Sequence, residues 1–226
     1  MIETATDGGV YVVTLGRPDS RNALTPAALD DLEAAFEAVD ESVVLLRGAG
    51  SAFCAGADLD AVAALKDREA AERFARRGQR VATRVAESEA VVVAGVDGAA
   101  RGGGVELALA CDVRVATPDA TFAETGAKLG LFGAWGGTAR LPQVVGLGEA
   151  MDLALSGRVV DADDALRMGL VSRVVDDPHS VTDEIAANDP DALAVVKKRL
   201  RDDADRATQE RREADAFAAL HAEFER

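Results

Sequence analysis

The stretch that decides the fold is Ala-Ala-Arg-Gly-Gly-Gly-Val-Glu-Leu-Ala-Leu-Ala-Cys, residues 99–111. Three glycines open a predicted helix that is apolar on every face except at Glu106, and such a helix belongs in a protein core. Burial of an unpaired carboxylate is costly and raises its pKa. A carboxyl group with a raised pKa beside glycine N–H groups suits acid/base chemistry on a carbonyl compound.

Strand-like and helix-like segments alternate along the first part of the chain, which predicts an α/β fold. Short apolar runs predict strands at 11–15, 43–46, 90–96, 113–115 and 121–122. Thr25 and Pro26 begin one helix, and the charged segment 67–87 forms another. From about Gly146 the pattern becomes helical, with helices predicted at 150–155, 161–168 and 191–222 and a strand-like insert at 171–175. We therefore expect a core region over residues 1–145 and a helical region over residues 146–226.

The charge balance limits the classes of partner. The 226 residues include 40 Asp and Glu against 25 Lys and Arg, which gives a net charge of −15. This charge argues against non-specific binding to nucleic acid or to an anionic membrane. No apolar run reaches transmembrane length and no secretory pattern opens the chain, so we expect a cytoplasmic protein. The acidity fits either a high-salt cytoplasm or a GC-rich genome.

Common phosphate-binding, metal and nucleophile motifs are absent from the sequence. It contains no Gly-Lys dipeptide for a phosphate loop and no Gly-x-Gly-x-x-Gly segment. Two isolated cysteines, Cys54 and Cys111, and two isolated histidines, His179 and His221, do not form a typical zinc site, so we expect no metal. Both thiols are predicted to lie in the core and both imidazoles at the surface.

The glycine helix, read with other segments, resembles the crotonase (enoyl-CoA hydratase/isomerase) family over nearly the whole chain. The segments are Leu15-Gly16-Arg17-Pro18, Arg21-Asn22-Ala23-Leu24-Thr25, Ala52-Phe53-Cys54-Ala55-Gly56-Ala57-Asp58-Leu59 and Gly136-Gly137-Thr138-Ala139-Arg140-Leu141-Pro142. Each is moderate evidence alone, but their order and spacing together are specific. The resemblance implies a crotonase-type ββα superhelix with a C-terminal helical region for trimerisation.

The resemblance also implies a substrate and a site. Members of the family bind an acyl-CoA thioester, so coenzyme A is part of the substrate and no tightly bound cofactor is expected. By position, the backbone N–H groups of Ala57 and Gly103 would hold the thioester oxygen, and Glu106 would act as acid and base. Substrate-binding candidates are Ala55, Gly56, Asp58, Leu59, Arg17, Arg21, Gly102 and Trp135. Cations for the CoA phosphates are sought at Arg17, Arg21, Lys197 and Lys198, although Lys197 and Lys198 are alternatively a solvated helix face.

Two of these positions carry open alternatives. The second glutamate of the family's hydratases falls on Gly126, which has no side chain for proton transfer. Glu124 lies roughly 7 Å away on the same face of an extended segment, and either partly replaces that glutamate or has a structural role. Trp135 either walls the acyl pocket or fills the core.

We expect an enzyme of the enoyl-CoA hydratase type. The alternatives are an enoyl-CoA isomerase that uses Glu106 alone, an inactive CoA-thioester-binding protein, and a purely structural assembly subunit. Near the end of the chain, Phe217, Leu220 and Phe224 have little sequence left to cover them, which predicts a subunit contact. The resemblance implies that this contact builds a homotrimer or a dimer of trimers.

Overall fold

Strands and helices alternate in the computed structural model, which describes residues 1–222 and Phe224. In this part of the chain the strands are β1 (Ile2–Asp7), β2 (Val10–Leu15), β3 (Val43–Gly48), β4 (Val91–Val96), β5 (Ala99–Arg101), β6 (Val113–Ala116), β7 (Thr121–Ala123), β8 (Val160–Asp161) and β9 (Arg173–Val174). The helices are α1 (Pro26–Glu37), α2 (Leu59–Ala63), α3 (Arg68–Ala86), α4 (Gly103–Ala110), α5 (Gly137–Ser156), α6 (Ala162–Arg167), α7 (His179–Ala186), α8 (Pro190–Leu200) and α9 (Arg206–Ala222). Short 3-10 turns occupy Pro18–Ser20 and Gly126–Leu129.

The strands form a large sheet and a small one. The large sheet has the order β1-β2-β3-β4-β6-β9, in which β1 runs antiparallel to β2 and the other neighbours are parallel. The small sheet has the order β5-β7-β8. Isolated bridges join Cys54 to Ala100 and Leu24 to Ala57. These bridges fix the loop at 52–58 beside β5, immediately before the glycine helix.

The parallel strands are buried on both faces, as strands of this kind require. In β3, Val44 and Leu46 belong to the main core, which includes residues of α1, α3 and α4. Val43 and Leu45 point to the opposite face, where they cluster with Val181 of α7. This alternation has the period of two that a β-strand imposes on its side chains.

The glycine helix α4 lies in the core, as its apolar composition predicts. Every residue from Gly104 to Ala110 is buried, and Glu106 is only 2% exposed. Cys54 and Cys111 are also buried, and burial raises the pKa of each thiol to about 12. Both cysteines are therefore core residues with thiols that stay protonated.

The C-terminal part differs from the predicted pattern in three respects. Helix α5 begins at Gly137 instead of 150 and has a kink at Gly146, where φ is 78°. The predicted helix 191–222 is two helices, because the Asp202 and Asp205 side chains accept hydrogen bonds from main-chain N–H groups in the connection and the first turn of α9. Region 146–226 also supplies the unpredicted strand β8 to the small sheet, whereas β9 of the large sheet lies within the predicted strand-like segment 171–175.

Helix α8 is anchored to the large sheet by Asp112. Its carboxylate accepts a hydrogen bond from Val92 N at 2.7 Å and contacts Lys197 Nζ at 2.8 Å and Arg201 Nε at 2.8 Å. Lys197 also donates to the Ala90 carbonyl at 2.7 Å, and its side chain is 8% exposed. Removal of one partner from a buried ion pair leaves an uncompensated charge.

We expect Asp112→Asn to lower the free energy of unfolding by about 3 kcal/mol, because Lys197 then stays buried without its anion. Urea unfolding followed by circular dichroism measures the change. The control is Arg76→Gln, which breaks the exposed i,i+4 pair with Glu72 and should cost no more than about 0.5 kcal/mol. Equal stability of the two variants would contradict the anchoring role of Asp112.

Candidate active site

A pocket of about 210 Å³ opens at the N-terminus of α4, between α2, α3 and the segment 125–135. Several of the predicted site residues line it. They are Ala55, Ala57, Leu59, Gly102, Gly103, Glu106, Gly126 and Trp135. The structure therefore brings the two predicted amide positions and the predicted acid into one pocket, and Gly56 lies between two of its lining residues.

Two main-chain N–H groups at this pocket have no hydrogen-bond acceptor among the described residues. Gly56 has φ +85°, and a Cβ atom there would lie 2.8 Å from Gly103 N, so the loop at 52–58 contacts the start of α4 directly. Neither Ala57 N nor Gly103 N donates a hydrogen bond to any residue that the structure describes. Gly103 is the first residue of α4, where the N–H groups of a helix have no acceptor within the helix and favour an anion.

The Glu106 carboxylate is held by one of its oxygens. Oε1 accepts hydrogen bonds from Trp135 N at 2.8 Å and from Gly137 N at 2.7 Å. Burial raises the pKa of Glu106, while these two hydrogen bonds and the charge of Arg140 oppose that rise. Oε2 has no hydrogen-bond donor within residues 1–222 and 224, and it remains available to a ligand.

Trp135 is buried in the core and also lines the pocket. Its side chain is 5% exposed and packs edge-on against Phe74, with ring centroids 6.0 Å apart. The ring also covers Gly78 and Gly103 so closely that a Cβ atom at either position would collide with it. Trp135 is thus a core residue whose ring forms a wall of the pocket and whose N–H holds Glu106.

The position of the missing second glutamate has no room for a side chain. A Cβ atom at Gly126 would lie 2.7 Å from Phe132 Cα. Glu124 is buried and lines a neighbouring cavity instead of this pocket. Burial, followed by the negative charge of Glu106, raises the pKa of Glu124 to about 8. Within the described part of the chain, Glu106 is the carboxylate that lines the pocket.

Arg17 and Asp58 hold the loop at 52–58 in place. Arg17 contacts Asp58 Oδ2 at 3.0 Å and donates to the Ala23 carbonyl at 2.6 Å. Asp58 begins α2 by accepting a hydrogen bond from Ala61 N, and this bond and the Arg17 guanidinium lower the pKa of Asp58. Neither side chain lines the pocket. Arg21 is exposed and lies in a left-handed conformation, with φ 49°.

Lys197 is not at this pocket, which corrects its assignment as a site candidate. Its ammonium group is bound by Asp112 and the Ala90 carbonyl, in the anchor of α8. Lys198 is exposed on the same helix. Sequence reasoning failed here because an ion pair between distant segments leaves no local signal.

Sequence reasoning also missed the main-chain partners of Glu106. The pair Gly136-Gly137 was the one available signal. In the part of the chain that the structure describes, no cluster of three or more His, Cys, Asp or Glu is placed to hold a metal ion. No described helix is long and apolar enough to cross a membrane.

The family model for enoyl-CoA hydratase/isomerase matches residues 5–225. Short-chain-enoyl-CoA hydratase of Clostridium acetobutylicum is 34% identical over 205 residues, which cover 86% of this chain and 78% of that protein. Crotonyl-CoA hydratase of Syntrophomonas wolfei is 39% identical over 169 residues, or 73% of this chain and 65% of that protein.

Solved structures show the same fold. An enoyl-CoA hydratase from Thermoplasma volcanium superposes with a TM-score of 0.92 at 32% identity, covering 98% of this chain and 92% of that chain. An enoyl-CoA hydratase from Mycobacterium smegmatis has a TM-score of 0.90 at 35% identity, covering 97% and 90%. The predicted crotonase fold is confirmed. The chain belongs to the enoyl-CoA hydratase/isomerase family.

Proposed function

We propose that the protein adds water to a 2-enoyl-CoA. The observation that carries this proposal is the convergence of Ala57 N, Gly103 N and the buried Glu106 carboxylate on one pocket. The expected hydratase activity is supported by relatives named as hydratases at 34% and 39% identity. The coenzyme A moiety is then part of the substrate.

The two free amides stabilise the charge that develops during the reaction. When water adds to the β-carbon, the thioester oxygen becomes enolate-like, and Ala57 N and Gly103 N donate hydrogen bonds to it. The N-terminus of α4 adds favourable potential at the same oxygen. Loss of one such donor costs roughly 3–4 kcal/mol of transition-state stabilisation in other enzymes.

Glu106 transfers the proton. Its ionised carboxylate accepts a proton from water as the water oxygen bonds to the β-carbon, and the resulting carboxylic acid then protonates the α-carbon. Glu106 is therefore ionised again at the end of the cycle, and a single carboxyl group is sufficient. The hydrogen bonds from Trp135 and Gly137 hold Oε1, which leaves Oε2 as the oxygen that would exchange the proton.

An enoyl-CoA isomerase is the second candidate. It is favoured by a specific observation: of the described residues, Glu106 is the carboxylate that lines the pocket, and Gly126 has no side chain. An isomerase moves one proton between two carbons and needs no group that positions water. The same amides would hold the enolate in that reaction.

We further propose that the protein works as a homotrimer or a dimer of trimers. Helix α9 has no buried residue within the described range, and its Phe217 side chain is 70% exposed. Phe224, which follows it, is 66% exposed. An apolar face of this kind is stabilised by contact with another subunit.

Glu106→Gln tests the proton-transfer role. We expect kcat/KM on crotonyl-CoA to fall by about 10²–10⁴, because glutamine keeps the hydrogen bonds to the main chain but accepts no proton. Loss of the conjugated-enoyl absorbance measures hydration, and its gain from a 3-enoyl-CoA measures isomerisation. Glu89→Gln, an exposed carboxyl far from the pocket, is the control for loss of charge. Turnover of Glu106→Gln at the unmodified rate would exclude the assigned role.

Gly126→Glu tests whether the missing glutamate can be restored. We expect no gain in hydration rate, because the new Cβ atom collides with Phe132 Cα and displaces the wall of the pocket. Gly126→Ala shares the collision without the carboxyl group and should lose activity to a similar degree. A hydration rate for Gly126→Glu above that of the unmodified protein would show that the loop accommodates a second acid.

A further inference from the structure

A second cavity lies beside the pocket of Glu106. It has a volume of about 260 Å³. Its walls include Leu141, Ala150, Met151 and Ala154, which are apolar residues of α5. The volume lies just below the range of about 300–1,000 Å³ that whole small-molecule ligands occupy, so the cavity suits one end of a larger ligand.

Glu124 is the ionisable residue in this wall, and it lacks a partner. Its side chain is 7% exposed, and Oε1 is buried without a hydrogen bond to the described residues. Burial and the nearby charge of Glu106 raise its pKa to about 8, so the group is a neutral carboxylic acid at neutral pH. In this form it can donate one hydrogen bond and accept another.

The cavity and the pocket share one partition. Gly126, Phe132 and Gly133 line both spaces. The partition has little side-chain bulk, since two of the three residues are glycines and Phe132 is 70% exposed. The thioester of a bound acyl-CoA would lie at Ala57 and Gly103. Its acyl chain would then reach the cavity as the neighbouring apolar space.

The residues that line the cavity disfavour two kinds of group at the end of a ligand, a carboxylate and a plain hydrocarbon. Among the described residues it contains no Lys, Arg or His, so a ligand carboxylate would be desolvated without a cation. A plain hydrocarbon displaces any water bound to Glu124 and leaves the carboxyl group unpaired. A hydroxyl or ketone oxygen replaces that hydrogen bond without bringing a charge into the cavity.

We propose that this cavity binds the distal end of an acyl chain that carries a neutral oxygen group, a hydroxyl or a ketone, and that Glu124 hydrogen-bonds to that oxygen. The proposal rests on the proposed acyl-CoA activity. It makes Glu124 a residue that determines substrate specificity, and it assigns an oxygenated acyl-CoA as the preferred substrate class.

The test compares saturated ligands, which bind without reacting. Calorimetry at about pH 7 measures the Kd of octanoyl-CoA, of its hydroxy and oxo derivatives along the distal half of the chain, and of the carboxylate-ended analogue. We expect at least one hydroxy or oxo derivative to bind at least about tenfold more tightly than octanoyl-CoA. The carboxylate-ended analogue should bind most weakly.

Two variants of one residue provide the matched control. Glu124→Gln keeps a neutral donor and acceptor and should keep the preference, whereas Glu124→Leu should abolish it. Above about pH 8 the ionised Glu124 no longer donates, so the preference for the oxo ligand should disappear in the unmodified protein and persist in Glu124→Gln. Should Glu124→Leu fail to fold, Ala154→Leu narrows the cavity and should weaken octanoyl-CoA binding relative to butyryl-CoA.

The outcomes separate this proposal from the proposed function. Equal affinity for octanoyl-CoA and every oxygenated derivative, or a preference that survives Glu124→Leu, would overturn the role of the cavity. If the protein hydrates crotonyl-CoA but shows no preference for oxygenated ligands, the role of Glu124 and the cavity is refuted and the proposed function stands. A preference in binding without turnover of any enoyl-CoA removes the proposed function alone, and failure to bind CoA thioesters removes both.

Discussion

The two hydrogen bonds from Trp135 N and Gly137 N to Glu106 Oε1 are the constraint on which the site depends. They join α4 to the segment that begins α5, and they do so through a group buried in the core. A buried carboxylate without donors is strongly disfavoured. Movement of the segment around Trp135 away from Glu106 would therefore be costly in free energy. The same hydrogen bonds that orient the acid thus also fix the walls of the pocket.

This arrangement also explains the glycines of the segment. A Cβ atom at Gly133 or Gly137 would lie 2.8 Å from atoms of the Glu106 side chain. The main chain must approach the carboxylate closely for its N–H groups to reach Oε1. Small residues at these positions are thus a packing requirement of the acid, and the pocket is narrow because the main chain itself forms part of its wall.

Local features of the sequence predicted much of the fold. Helix α4 was recognisable because its apolar composition leaves Glu106 as the one exception, and α1 because Thr25 and Pro26 mark its start, where the Thr25 side chain accepts a hydrogen bond from Ala28 N. The partners of Glu106 were not predictable, because they are main-chain groups 29 and 31 residues away that no side chain reveals. Lys197 was considered because an acidic protein needs a local cation for the CoA phosphates, but its ammonium group is already paired with Asp112, a partner 85 residues away that the local sequence does not reveal.

Gly126 illustrates how a residue difference acquires meaning from its surroundings. In the sequence it is a lost carboxyl group. In the structure the main chain of Phe132 occupies the space beside it, and Glu124 lines the adjoining cavity. Two carboxyl groups that are close enough to interact but differ in hydrogen bonding separate in pKa. Burial raises the pKa of both groups, but main-chain donors and Arg140 oppose the rise at Glu106, while Glu124 has no such support and its pKa is raised to about 8. Under the two proposals above, this difference would let Glu106 act as the base while Glu124 offers a neutral hydrogen bond in an apolar space.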